Sequence, residues 1–430
     1  MSGLGAGLGY DATPPFSAPL RFFLSAPLFS AAAGGLLLAD PGLLDSRWTP
    51  GALATIHLLA LGFLLQVMLG ALLQILPVVA GASFRAPLRV AGLTHAGLCA
   101  GSLALTLGFL TGAPALLQLG GGLLGLTLAG FLIAAADAIR HAPRAGAPGH
   151  TPRDLHLALG GLLIAGGLGL ALTLTLARGW RLPIDFVLQV NLHAGWALLG
   201  WAGLLLAATS WVVVPMFHIT PAYPQRLARW WAPLVLTVLT TWSVGAVSEA
   251  STLVLVAGML LLTLAAVFPL ATLRQQARTR RSQPDAAFGA FRLAMIALLA
   301  GLTALIPATL TDQTHWPVLA GILLLHGGFG GATRAMLYKI VPFLAWLHLT
   351  QAGIKAPNVR KLMPEAQARA QLRLHALTLL SLIVAVFIPL AGHLAGALLF
   401  VESLWLWWNL ATVARIWHKQ QAARSAPAAV

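Results

Sequence analysis

The segment GALATIHLLALGFLLQVMLGALLQILPV, residues 51–78, contains no Asp, Glu, Lys or Arg. As an α-helix it would extend roughly 42 Å at 1.5 Å per residue, which exceeds the roughly 30 Å of bilayer hydrocarbon. Its apolar residues do not alternate as they would in a half-buried strand. Because only helices and closed barrels satisfy the backbone inside lipid, the segment predicts a membrane-spanning helix.

The same composition continues through the whole chain. Its 430 residues are 58% hydrophobic and 9% charged, and the mean hydropathy is +0.84. Soluble domains carry about 25% charged residues, so this composition excludes a water-soluble globular protein. We predict an all-α polytopic integral membrane protein with about twelve transmembrane helices. The predicted spans are 19–39, 51–78, 88–112, 114–140, 155–178, 186–216, 231–247, 252–273, 288–310, 317–343, 372–391 and 394–417.

These spans define one transmembrane domain over 19–417, after an N-terminal cytoplasmic segment, 1–18, and before a C-terminal tail, 418–430. The net charge of +15 is concentrated after the even-numbered spans. This pattern predicts an inner (plasma) membrane protein with both termini in the cytoplasm, and it indicates topology and contact with the lipid bilayer rather than nucleic-acid binding. The basic residues concerned are Arg85, Arg89, Arg140, Arg144, Arg153, Arg226, Arg229, Arg274, Arg278, Arg280, Arg281, Lys355, Arg360, Lys361, Arg369, Arg373, Arg415, Lys419 and Arg424.

Spans 2, 6 and 10 share a pattern that predicts an internal repeat. Each ends in two hydrophobic residues and a proline, and a glycine lies fifteen residues before that proline. The pairs are Gly62 and Pro77, Gly200 and Pro215, and Gly327 and Pro342. We predict a threefold repeat of four helices, over about 19–140, 155–273 and 288–417. Chance is the alternative, because Leu, Ala and Gly dominate the chain, and transporters also contain repeats.

Three histidines in these spans are the candidate metal ligands. His57, His193 and His326 fall in the half of the membrane opposite the basic loops. An ionisable side chain is costly there, and therefore indicates a functional site by default. Two imidazoles from different helices can hold a haem iron between them. Interhelical hydrogen bonding or an interfacial position is the alternative.

Span 10 carries further candidates for binding a cofactor. Gly327 and Gly330 remove side chains beside His326, which suits either a flat macrocycle or close packing of helices. Arg334 lies about two turns further along the helix. It is placed to pair with an anionic group such as a haem propionate, to extend to the interface, or to pair with Glu402 in span 12.

Other signals for chemistry are weaker. His95, His375 and Asp137 form a possible proton-carrying set near the cytoplasmic side. The single cysteine, Cys99, excludes a disulfide framework and any multi-cysteine metal site. The chain contains no P-loop, dinucleotide-binding fingerprint or HExxH motif.

The layout resembles the haem–copper oxidase subunit I superfamily, and in size and helix count the NnrS-like proteins, which contain haem and copper and are associated with nitric oxide metabolism. The resemblance covers most of the chain through short motifs. These are His57 with Gly62 and Pro77, His193 with Gly200 and Pro215, and His326 with Tyr338 and Pro342. It implies haem b on His57 and His326, with Gly327, Gly330 and Arg334 beside it, and His193 at a metal site.

Two departures bear on copper and on a second haem. Span 7 contains none of the paired histidines that the oxidases carry on helix 7, and Leu324 stands where a His-x-His motif would place another histidine. Oxygen reduction with proton pumping is therefore not expected.

We expect a haem-binding membrane protein, acting as an oxidoreductase if it is an enzyme, in respiration or nitric oxide metabolism. Its partner would be an electron-transfer protein or a respiratory complex. A transporter without a redox cofactor is the main alternative, and an assembly factor for respiratory complexes is the third.

Overall fold

Residues 9–143 and 149–425 are described by a computed structural model of the protein. Within these ranges the chain forms helices, turns and irregular connections, with no strand. Twelve helices are long and apolar enough to cross a membrane, which confirms the predicted polytopic all-α architecture. We number them α1 to α12: Ser17–Ala39, Pro50–Ala80, Pro87–Thr111, Pro114–Arg140, Thr151–Arg178, Phe186–His218, Gln225–Val247, Ser251–Ala277, Ala286–Leu310, His315–Gln351, Glu365–Phe387 and Ala391–Ser425.

The largest shift in position concerns α11. The helix runs from Glu365 to Phe387, whereas hydropathy predicts 372–391. It ends early because Pro389 follows, and a residue that precedes proline is disfavoured in the α conformation. Hydropathy places its start too late, because the first two turns of the helix are polar. A polar helical turn at the membrane interface is not recognised as part of an apolar span.

Two other helices continue beyond their predicted ends. α10 extends to Gln351 and α12 to Ser425, so much of the predicted tail is helical. Residues 426–430 of that tail, residues 1–8 of the N-terminal segment and residues 144–148 lie outside the described part of the chain.

Both described termini lie at one end of the bundle, because the number of spans is even. We call this the basic end; it carries the residues before α1 and the connections that follow α2, α4, α6, α8 and α10. Backbone and side-chain hydrogen bonds join these segments there. They run from Gly9 N to Val78 O at 3.1 Å, from Gln351 Nε2 to Tyr10 O at 3.1 Å, and from Arg280 N to Ile219 O at 3.0 Å.

Helices α2, α6 and α10 are the most buried of the twelve, and each contains a π-helical stretch. The stretches are Leu58–Leu65, Trp196–Gly203 and Ile322–Gly330. Each ends twelve residues before the proline that the three spans share. The stretch in α10 packs against those in α2 and α6. The equal spacing between these stretches and the shared proline supports the threefold repeat, which stays a prediction. Such stretches occur frequently at functional sites.

At the basic end, Asp285 joins α9 to its neighbours. Its Oδ1 accepts a hydrogen bond from Phe288 N at 3.0 Å, and its Oδ2 contacts the side chains of Arg281 and Lys339. Burial alone would raise the pKa of this carboxyl. Lys339, the Phe288 N–H and Arg281 outweigh burial and hold the pKa below its ordinary value.

We expect Asp285→Asn to lower the free energy of unfolding by about 1 kcal/mol at pH 7, a value reduced for partial exposure. Because the folded-state pKa is depressed, the stabilisation by the charged carboxylate is complete above an unfolded-state pKa of about 3.9, and it is lost as pH falls through the folded-state value. Unfolding in detergent, measured from pH 7 downward, should show the difference between the two proteins shrinking once the pH falls below about 3.9. A difference that stays constant as the pH falls below this value would contradict this account.

Candidate metal centre

Three side chains of metal-ligand type converge in the interior of the bundle. They are His326 on α10, His375 on α11 and Glu402 on α12, and their candidate ligand atoms all lie within 4.8 Å of one another. Both histidines are 3% exposed and the glutamate is 0% exposed. Among the described residues, this is the one group of three or more His, Cys, Asp or Glu side chains with such spacing.

Several polar atoms in this group have no hydrogen-bond partner. His375 Nδ1 donates to Glu402 Oε1 at 2.8 Å. His326 Nε2 lies 3.7 Å from Glu402 Oε2, too far for a hydrogen bond. Within the described part of the chain, both nitrogens of His326, Nε2 of His375 and Oε2 of Glu402 remain unpaired. Because buried polar atoms are normally paired, these four atoms indicate a place for a cation or an ordered water.

Glycines allow the helices to approach closely around this group. A Cβ on Gly331 would lie 3.0 Å from His375 Nε2, and a Cβ on Gly327 would lie 2.9 Å from Ala297 Cβ and 3.0 Å from Leu379 Cδ1. Side chains of α9 and α11 therefore cover the surface over Gly327. The sequence allowed either a macrocycle or helix packing at this surface. A haem against this surface would need those side chains to move.

Arg334 neutralises the buried carboxylate. Its Nε lies 2.9 Å from Glu402 Oε1, so the arginine pairs with Glu402, one of the three roles that the sequence allows. Its Nη2 donates to Ser30 Oγ at 3.0 Å, and its guanidinium lies 4.4 Å from the ring centroid of Phe63. A Cβ on Gly330 would lie 2.7 Å from Arg334 Nη1, so this glycine leaves the arginine its space.

Of the three predicted ligands, His326 alone belongs to the group. His57 Nδ1 lies 2.7 Å from Leu53 O in the same helix, and its ring centroid is 5.1 Å from that of Phe109. His193 Nδ1 lies 3.0 Å from Ala165 O of α5, an interhelical contact. Each of these two rings therefore has one nitrogen directed to a backbone carbonyl.

The predicted proton-carrying set is divided among three places. His375 lies in the buried group, whereas His95 Nε2 lies 2.9 Å from Ser25 Oγ beside α1. Asp137 pairs with Arg85 at 3.0 Å, and both side chains are substantially exposed at the basic end. The structure therefore does not bring these three residues together.

Glu402 is the candidate site residue for which the sequence predicted only a possible pairing with Arg334. The sequence did indicate that Glu402 is unusual. Among the eleven acidic residues, it alone lies more than one turn inside a predicted span. An intramembrane carboxylate is a functional hypothesis in its own right. No signal in the sequence paired it with His375, because the two residues are on different helices.

No model of a known protein family matches this chain, and no curated protein is similar enough to it to count as a relative. The site is therefore interpreted from its own side chains. Two imidazoles and one carboxylate form a donor set that zinc, iron and other first-row transition ions accept.

Proposed function

We propose that this protein is a metal-binding integral membrane protein that holds a transition-metal ion between His326, His375 and Glu402. The observation that supports this is the convergence of the three side chains, with unpaired ligand atoms, in the buried interior of the bundle. Exposed acidic clusters often lack a metal, but this group is buried, and its donors come from three different helices.

Arg334 would act by orienting Glu402 rather than by binding the ion. It pairs with Oε1 of the carboxylate, whereas Oε2, the oxygen nearer His326, is unpaired. Partners beyond the ligands usually fix a ligand's orientation and tune the metal. The arginine also offsets the negative charge, because an uncompensated carboxylate inside the membrane costs several kcal/mol.

Three protein ligands would leave a coordination position open, as in catalytic rather than structural metal sites. An open position would let a substrate bind to the ion, as in a membrane oxidoreductase, and a respiratory complex or electron-transfer protein would be the partner. The resemblance to haem–copper oxidase subunit I points to respiration or nitric oxide metabolism. The basic loops support a cytoplasmic location for both termini.

Metal analysis of purified variants tests the proposal. We expect the wild-type protein to retain about one transition-metal ion per chain, and His375→Ala to weaken binding of Co²⁺, as a spectroscopic probe, by about 100-fold or more, since loss of outer partners alone costs 10- to 100-fold. His57→Ala is the matched control and should bind Co²⁺ normally. Equal binding by wild type and His375→Ala, or no metal in the wild type, would reject the site.

Haem b is the second candidate. Both nitrogens of His326 are unpaired, and the Nδ1 contact of His57 leaves its Nε2 available for a ligand bond. This candidate predicts a Soret band that is lost in both His57→Ala and His326→Ala but retained in His375→Ala. Because the two candidates differ at His57 and His375, an optical spectrum and a metal analysis of the same four proteins distinguish them.

A further inference from the structure

A cavity of about 460 Å³ opens at the basic end, between the beginning of α7 and the end of α8. This is within the usual size range of small-ligand sites. Leu227, Val267 and Leu270 form an apolar wall, and Arg274 and Arg278 lie nearer the basic end of α8. The cavity thus has an apolar part at bilayer depth and a cationic part at the membrane surface.

The two arginines have no acidic partner in the part of the chain that the structure describes. Both are exposed, and neither forms an ion pair with any other described residue. Arg274 lies in the last turn of α8 and Arg278 directly follows the helix. Both line the cavity, and their like charges repel each other. An anion bound between them would remove that repulsion.

The beginning of α7 adds further donors for an anion. This 23-residue helix starts at Gln225, and Pro224 before it provides no side-chain cap. The N–H groups of the first turn therefore have no partner within the helix, and the positive end of the helix dipole favours negative charge. Pro224 and Leu227, on either side of this helix start, both line the cavity.

Gln275 provides evidence for a ligand in the cavity that does not depend on the arginines or on the beginning of α7. Its side chain is 3% exposed and lines the cavity. Its Nε2 donates to Ala222 O at 3.3 Å, which fixes the orientation of the amide. Its Oε1 then has no hydrogen-bond partner among the described residues. A buried acceptor without a partner fits a ligand that brings a donor, such as a hydroxyl group.

We propose that this cavity binds an anionic phospholipid with a hydroxylated headgroup, of the phosphatidylglycerol type. The phosphate lies between Arg274, Arg278 and the beginning of α7, and a headgroup hydroxyl donates to Gln275 Oε1. An acyl chain follows the apolar wall into the bilayer. Basic pockets between transmembrane helices on the cytoplasmic side characteristically bind such headgroups. The proposal does not depend on the metal centre.

Native mass spectrometry of the full-length protein in detergent tests the site. Phosphatidylglycerol and phosphatidylcholine with identical acyl chains are added in turn, and the bound fraction is measured. We expect a preference for phosphatidylglycerol that falls about 30-fold in the double variant Arg274→Gln/Arg278→Gln, which corresponds to about 1 kcal/mol for each arginine. Both side chains are exposed, so the variant should fold. The matched control, Arg89→Gln/Arg140→Gln, removes the same charge from the basic end outside the cavity and should keep the preference.

Each other outcome overturns the proposal. Equal binding of the two lipids by the wild type would show that the cavity does not select an anionic headgroup. An equal loss in the control variant would show that general surface charge is responsible. Displacement of the lipid by millimolar inorganic phosphate would show a site for free phosphate instead. As a second measurement, Gln275→Leu should weaken phosphatidylglycerol binding but leave binding of phosphatidic acid, which lacks the hydroxylated headgroup, unchanged.

Discussion

Glu402→Gln should lower the free energy of unfolding by about 3–5 kcal/mol, the cost expected when one partner of a buried ion pair is removed. The carboxylate is fully buried, and its Oε1 lies 2.9 Å from Arg334 Nε and 2.8 Å from His375 Nδ1. The amide preserves the shape of the side chain but leaves the guanidinium charge uncompensated inside the membrane. Reversible unfolding in mixed detergent, followed by tryptophan fluorescence, measures the change.

Two further variants separate charge compensation from packing. Arg334→Met combined with Glu402→Gln should recover most of the lost free energy, because replacing a whole buried pair is often nearly neutral. Glu365→Gln removes an exposed carboxylate that pairs with Arg369 on the same helix, and it should cost less than about 1 kcal/mol. If the double variant were no more stable than Glu402→Gln, the ion pair would not be the source of the effect.

Gly161→Ala should destabilise the protein by about 3 kcal/mol, at the upper end of the usual cost of overpacking. Gly161 lies where α5 meets the π-helical stretch of α6. A Cβ at this position would lie 1.9 Å from the carbonyl oxygen of Gly200 and 2.4 Å from its carbonyl carbon. The obstruction is backbone, so rotation of a side chain cannot relieve it and the two helices must move apart.

The adjacent glycine is the control for this prediction. A Cβ on Gly160 would meet nothing within 4 Å, and Gly160 is exposed on the surface of the bundle. Gly160→Ala should therefore stabilise the protein by about 0.5–1 kcal/mol through helix propensity alone. The same unfolding experiment measures both variants. Equal effects of the two substitutions would contradict the close approach of α5 and α6.

The sequence identified the membrane-spanning segments more successfully than it identified the depth and the direction of single side chains. It placed His326 and Arg334 inside span 10 and allowed the pairing of Arg334 with Glu402. It did not bring His375 to the same centre, and it assigned this histidine to the cytoplasmic side. That depth was wrong, because His375 meets His326, which the sequence placed in the opposite half of the membrane. Helix α11 begins at Glu365 and not at 372, so His375 lies well inside the helix and not in its first turn. The direction of a side chain needs a polar face, which a helix that is apolar all round does not provide.

The π-helical stretches add to this difficulty. Each widens the helix locally, so a projection with 3.6 residues per turn assigns later residues to the wrong face. The stretch Ile322–Gly330 includes His326 and precedes Arg334, and it thus changes the direction of the side chains that form the centre. The resemblance to haem–copper oxidase subunit I and the haem pair of His57 and His326 stay predictions.

The sequence by itself determined the helical class, the twelve spans and the basic connections, because hydrocarbon thickness and the energetic cost of charge in lipid act on each segment separately. Only the tertiary structure decided which polar side chains meet: His326, His375 and Glu402 around one point, and Arg274, Gln275 and Arg278 around a cavity beside α7. The physical reason is that the rotation and neighbours of each helix depend on close packing through glycines such as Gly161 and Gly331. That packing depends on pairs of helices, which no single stretch of sequence contains.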